Sequence, residues 1–446
     1  MTAITLSRSR LVAYGMFSVP LAMAALPVYV HVPKLYAGEI GLPLALVGMI
    51  LLAVRLFDAI QDPLLGYFSD RCSGHALGRA IPVILGLPLL ALGFIGLFHP
   101  PQGGQATLAI WLAVNLLIVY LGFSSASISY FAMGADLSGD YHQRTRVTAT
   151  RGALGLLGVL IAAAAPGLLG RGEAGNLALF SLFFVPVLIS AAWFTLRHTP
   201  RPAKRVAPEA ALGSMFLPLR NARFRWLIGV FILSGIAGAI PATIILFFVQ
   251  DVIQRPELSG MFLALYFVFG ALGMPIWIAV SKRVGKRQAW LAGMFMSVIA
   301  FVWAYLLGSG EVLGFALVCA LSGIAYGAEL AIPPSMLADT VDADLLREHH
   351  GREHQRREHQ RPDGVYFGLW QMIEKLNLAA AAGLTLPLLA WAGYEPGTAQ
   401  VQAGSLAAIY ALLPCAFKLV AAGMLWAAPL DRLAPLKPTL ERVAKA

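Results

Sequence analysis

Twelve apolar stretches leave this chain one class of fold. Each can cross a hydrocarbon core of about 30 Å as a helix of about 20 residues. They lie near 11–31, 42–69, 80–98, 107–135, 147–170, 177–196, 224–250, 258–281, 288–308, 311–336, 365–392 and 403–430. Lipid offers no partner to a backbone N–H or C=O, so such stretches must close their hydrogen bonds internally, as helices. Only 13% of the residues are charged, against about 25% in a soluble domain. An all-α membrane protein of twelve transmembrane helices is expected. Ala22-Met23-Ala24 mimics a signal-peptidase site after Arg8 and Arg10, yet the apolar run continues to Val30 and reads as an uncleaved first helix.

The net charge of +10 could suggest nucleic acid, but its distribution points to topology. The connections at 70–79, 136–146, 197–223, 282–287 and 337–364, with the terminal segments and the helix-start residues Arg151 and Arg225, hold 27 of the 33 Lys and Arg. The opposite side holds Lys34, Arg171 and Arg255. Basic residues stay cytoplasmic, so both termini are expected there, in an inner-membrane, multi-pass protein. Cys72, Cys319 and Cys415 are too scattered for a disulfide framework or a metal motif. The Pro- and Arg-rich stretch 197–223 divides the spans into halves, 1–196 and 224–446. A faint repeat relates them: PLLGYFSDR from Pro63 matches PIWIAVSKR from Pro275. Duplicated six-span halves suit a rocking transporter with its site at mid-membrane.

One span carries an unusual set of charges. Arg55, Asp58 and Asp62 recur at helical spacing and share one face of the second span. Ionised side chains at that depth are expensive and normally face a cavity or each other. Three charges of net −1 suit a small monovalent cation; a structural salt bridge is the plainer alternative. The repeat places Phe267, Gly270 and Met274 at the equivalent positions of the second half, so the cluster belongs to one half only. A second oddity is the tandem REHHG-REHQR-REHQR at 347–361, with four of the nine histidines. A five-residue period turns about 140° per repeat on a helix, so these histidines share no face. A solvated repeat expansion is expected rather than a metal or pH sensor.

The stretch DAIQDPLLGYFSDR resembles the DAxxDPxxGxxxDR signature of the glycoside–pentoside–hexuronide:cation symporters, melibiose-permease-like members of the major facilitator superfamily. YHQRTRVTATRG at 141–152, MLADTVD at 336–342 and YFGLWQMIEKLNLA at 366–379 are similar to further segments of that family. The resemblance implies a cation site of Asp58, Gln61, Asp62 and Ser124, with Asp58 and Asp62 as metal ligands if the ion is Na+. It also implies charge-coupling roles for Arg55, Arg151 and Lys375. Carboxylate, amide and hydroxyl oxygens are hard donors suited to Na+, and two close carboxylates can instead share one proton. Gln61 stands where sodium-using members carry Asn, which leaves both ions open.

The family's two sugar-gripping acids align with about Ala22 and Ser127, and its sugar-stacking aromatic with Phe131. Losing both acids argues against galactoside recognition, because sugar hydroxyls need fixed acceptors. Pro20, Phe131, Pro241, Phe247 and Phe248 suggest an apolar cavity. Ser127, Phe131, Glu329, Trp370 and Glu374 are the candidate substrate contacts, although either glutamate could instead pair with Lys375 or Arg151. The expectation is a monomeric symporter of a small organic solute, a sugar or glycoside among the options, coupled to H+ or Na+ and free of other cofactors. An exporter of drug-like or lysolipid-like amphiphiles and a non-transporting receptor are the alternatives. No Ser/His/Asp set, metal spacing or phosphate loop suggests an enzyme.

Overall fold

Each apolar stretch forms a helix in the computed structural model, which describes residues 7–72, 75, 77–137, 141–168, 173–199, 218–351, 363–397 and 403–428. The first half comprises α1 (Arg8–Glu39), α2 (Leu44–Cys72), α3 (Ala80–Phe98), α4 (Gln105–Asp136), α5 (Tyr141–Leu168) and α6 (Glu173–His198). The second comprises α7 (Ala222–Ile253), α8 (Pro256–Val284), α9 (Lys286–Tyr305), α10 (Val312–Gly351), α11 (Asp363–Trp391) and α12 (Gly404–Ala427). The halves are pseudo-symmetric in detail: α1 and its counterpart α7 both end in a five-residue π-turn, at Leu35–Glu39 and Val249–Ile253. Pro63 and Pro275, matched in the sequence repeat, lie inside the counterparts α2 and α8. The residues between α6 and α7 lie mostly outside the described set.

Hydropathy marks the membrane, not the helix, and several elements overrun it. The fifth helix begins at Tyr141 rather than 147, and the tenth continues past 336 to Gly351. The segment after Pro334 has neither Gly nor Pro before Gly351, so nothing in it breaks the helix, and its leucines and alanines favour one. The first pentad of the histidine repeat is therefore helical backbone, not loop, and 352–361 fall outside the described residues.

The halves meet through α1 with α7, α2 with α11 and α5 with α8. Small residues let backbones approach at these crossings, as membrane helices require. A Cβ on Gly48 of α2 would lie 2.9 Å from Pro387 Cδ of α11, and one on Gly260 of α8 would lie 2.7 Å from Ala163 O of α5. Both crossings lie at the end of the bundle away from Arg8 and Ala427. There one continuous core joins the first half to Phe247, Phe248, Phe262 and Leu386 of the second. At the other end, the core around Phe224, Trp290 and Trp370 draws, among the described residues, on the second half alone. The seam is thus sealed at the end away from the termini.

Candidate functional site

Helix α2 presents Arg55, Asp58, Gln61 and Asp62 on one face toward α4 and α11. Asp58 is 1% exposed, and every partner it has is a donor. Its Oδ1 accepts from Gln61 Nε2 at 2.9 Å and from Ser124 Oγ at 3.0 Å. Its Oδ2 faces Lys375 Nζ at 3.2 Å and Arg55 Nη1 at 3.5 Å. Lys375, from α11, also donates to Asp62 Oδ2 and, at 2.9 Å, to Ser124 Oγ. The ammonium therefore bridges both carboxylates and a hydroxyl across the seam between the halves. The other oxygen of Asp62, Oδ1, is buried and has no hydrogen-bond partner among the described residues.

Lys375 changes the charge balance expected from α2 alone: two carboxylates, one guanidinium and one ammonium sum to zero. Local spacing could not show this, because α11 reaches the site only through tertiary packing. The guanidinium of Arg55 also stacks 4.0 Å over the Tyr120 ring, beside a small cavity shared with Tyr29, Thr243 and Leu378.

Other expected site residues are elsewhere. Arg151 does not join the dyad: its guanidinium sits 4.2 Å over the Phe131 ring, and among the described residues no ion pair links it to Asp58 or Asp62. Phe131 is thereby a platform for that cation. Ser127 is buried and lines neither described cavity. Trp370 stacks on Phe231 at 3.7 Å inside the second core, away from both cavities, because a large flat ring gains most from enclosure there. Phe247 and Phe248 are likewise core, the latter stacked on Tyr410 at 4.1 Å, whereas Pro241 does line a cavity. Glu374 pairs with neither Lys375 nor Arg151 among the described residues; one position from Lys375, it projects about 100° away around the helix. Glu329 pairs with neither of them.

Glu329 is instead paired with a lysine of the last span. Lys418 Nζ of α12 donates to Glu329 Oε1 and to Ser234 Oγ, each at 2.7 Å. Ser234 Oγ at 2.6 Å and Trp290 Nε1 at 3.0 Å donate to the same Glu329 oxygen. The signal was present: a lysine and a glutamate, each inside an apolar span, must find each other or a cavity. The pair borders a cavity walled by Tyr266, Phe267, Phe301, Tyr326 and Tyr410. Among the described residues no three His, Cys, Asp or Glu converge as metal ligands.

The family model described as MFS/sugar transport protein matches residues 11–432. The chain belongs to that family. The human sodium-dependent lysophosphatidylcholine symporter 1 is 22% identical over 78% of this chain and 69% of its own length. A putative glycoside/cation symporter of Escherichia coli is 24% identical over 81% and 78%. Among solved structures, a bacterial homologue of the human lysosomal transporter Spinster superposes with a TM-score of 0.70 at 14% identity, over 97% of this chain and all of that one. The resemblance therefore reaches several symporter families rather than the glycoside–pentoside–hexuronide family alone. The protein is a multi-pass membrane transporter of the major facilitator superfamily, working by alternating access, and not an enzyme.

Proposed function

We propose that the transporter is a symporter that couples a small organic solute to one monovalent cation, H+ or Na+, bound at Asp58 and Asp62. The observation that carries this reading is the Lys375 ammonium held by both carboxylates and Ser124. A site that holds one monovalent cation with oxygen donors can exchange it for another of similar charge. Lys375 is then a tethered ion that fills the dyad after the coupling ion leaves. With Lys375 withdrawn, Asp58 Oδ2, both Asp62 oxygens and Ser124 Oγ form a hard oxygen set for Na+, and Asp62 Oδ1 gives a proton an acceptor of its own. The names of the human and bacterial relatives, sodium-dependent and cation symporter, support the coupling.

The basic loops support cytoplasmic termini in the inner membrane, and on that orientation the seal at the far end corresponds to an inward-facing state. That is where the coupling ion has been released, and where Lys375 should be found in its place. The six-helix halves, joined by the linker at 197–223, would rock about this site.

The test is coupled flux. In proteoliposomes, an imposed inward Na+ or H+ gradient should drive solute accumulation, and a solute gradient alone should draw the same cation inward. Solute movement indifferent to both gradients would reduce the protein to a facilitator and sink the symport reading.

A further inference from the structure

Two cations reach for one oxygen in the buried site. Asp58 Oδ1 is taken by Gln61 Nε2 and Ser124 Oγ, so Oδ2 is left to the ammonium of Lys375 and the guanidinium of Arg55. Arg55 has the better start. It lies on the same helix, one turn before Asp58, and a guanidinium can offer a carboxylate two parallel N–H donors. Lys375 must come from α11, in the other half. Yet the lysine is the closer, at 3.2 Å against 3.5 Å, and it holds Asp62 and Ser124 as well. Charge-assisted N–H···O bonds are ordinarily about 2.7–2.9 Å long, so the single 3.5 Å contact belongs to an arginine held back from its acid.

Tyr120 of α4 accounts for that distance. Its side chain is buried, 4% exposed, and the Arg55 guanidinium stacks over the ring at 4.0 Å from the centroid. A guanidinium is planar and weakly hydrated, so it lies readily on an aromatic face, and the attraction grows when the pair is withdrawn from water. The Arg55 side chain is itself only 12% exposed, and among the described residues it makes no other ion pair. It also borders a cavity of about 20 Å³ walled by Tyr29 of α1, Thr243 of α7 and Leu378 of α11. A space of that size beside hydroxyls suits one water, an acceptor for the N–H groups that Asp58 does not engage.

We propose that Tyr120 is a positioning residue: its ring holds Arg55 back from Asp58 and leaves Oδ2 to an exchangeable cation, Lys375 in this state and the coupling ion in the next. Without the ring, the guanidinium closes on Asp58 as a fixed counter-ion. Whatever else binds the dyad is then held less tightly. Arg55 cannot be exchanged in its turn, because its place on α2 keeps it beside the acid in every state. The ring thus separates a site that turns over from one that is permanently filled. The part played by the coupling ion rests on the reading of the chain as a symporter; the contest between Arg55 and Lys375 does not.

Amine labelling of the full chain in lipid nanodiscs, at fixed pH and without Na+, reads that contest through Lys375, with the Asp339-paired Lys286 as reference. An ammonium held by two carboxylates labels slowly, because only the free amine reacts. In Tyr120→Leu the guanidinium takes Asp58 and Lys375 keeps Asp62 alone, so the labelling ratio should rise about threefold or more, the scale of a buried cation–π contact. Tyr120→Phe keeps an aromatic face and should stay near the parent ratio. The deciding comparison is made in Arg55→Gln: with no guanidinium to release, adding Tyr120→Leu should leave the ratio where Arg55→Gln alone sets it. A parent-like ratio in Tyr120→Leu would overturn the proposal. So would a rise that is equally large without Arg55, since the ring would then act through packing alone. Tyr120→Met, whose flexible chain fills irregular gaps, repeats the comparison if the leucine variant fails to fold. Neither an ion gradient nor a solute enters the measurement, so a failure of symport shows in the flux experiment and leaves this ratio untouched.

Discussion

Asp58→Asn and Asp62→Asn each abolish uphill accumulation, and they differ in what they leave behind. Asp58 is fully enclosed by donors from Gln61, Ser124, Arg55 and Lys375. An asparagine amide there turns an N–H group toward one of those donors and leaves two cations short of a counter-charge. Breaking one partner out of a buried ion pair costs about 3–5 kcal/mol. Cation affinity should therefore drop on the order of 100-fold or more, and the thermal midpoint should fall with it. Among the described residues Asp62 has fewer partners and a buried oxygen without a hydrogen bond, so Asp62→Asn should lose coupling yet keep its fold and downhill solute flux. Accumulation against a gradient, counterflow and melting temperature, measured on the same preparations, separate the two. Wild-type accumulation in either mutant would remove that carboxylate from the cation site.

Lys375→Gln should show a different defect. In the parent, the ammonium neutralises the dyad whenever the coupling ion is absent. Without it the two carboxylates face each other with only Arg55, 3.5 Å from Asp58, to offset them. Like charges at that range favour keeping a bound cation. The mutant should bind its cation about tenfold or more tightly, a gain of about 1.4 kcal/mol or more, and release it slowly. Exchange of labelled for unlabelled solute needs no ion release and should persist, while net accumulation falls to background. Unimpaired net accumulation in Lys375→Gln would mean that the lysine only bolts α11 to α2.

The sequence exposed some of this plainly, and the reasons are physical. Arg55, Asp58 and Asp62 could be placed on one face because helical periodicity is local. The twelve spans were legible because lipid allows no other fold for such runs. Pairings between spans are not local. The order of residues shows that an intramembrane Lys418 needs a partner or a cavity, but not that Glu329 is that partner, nor that Arg151 stacks on Phe131 instead of facing the acids. Phe247 and Trp370 looked like cavity aromatics because burial in a core and exposure to a cavity select the same side chains. The overrun of α10 to Gly351 was hidden because polar residues can continue a helix as well as end a span.

On this mechanism the coupling ion and the Lys375 ammonium compete for one dyad. Amine labelling read by mass spectrometry tests it directly on the unmodified protein in nanodiscs. Lys286, paired with Asp339 at 2.7 Å and partly exposed, serves as internal reference. If the claim holds, labelling of Lys375 relative to Lys286 rises several-fold as Na+ is added at fixed pH, or as pH is lowered without Na+. A ratio that stays flat across both titrations would show that no cation displaces the lysine, and so that Lys375 is a fixed strut rather than a competitor of the coupling ion.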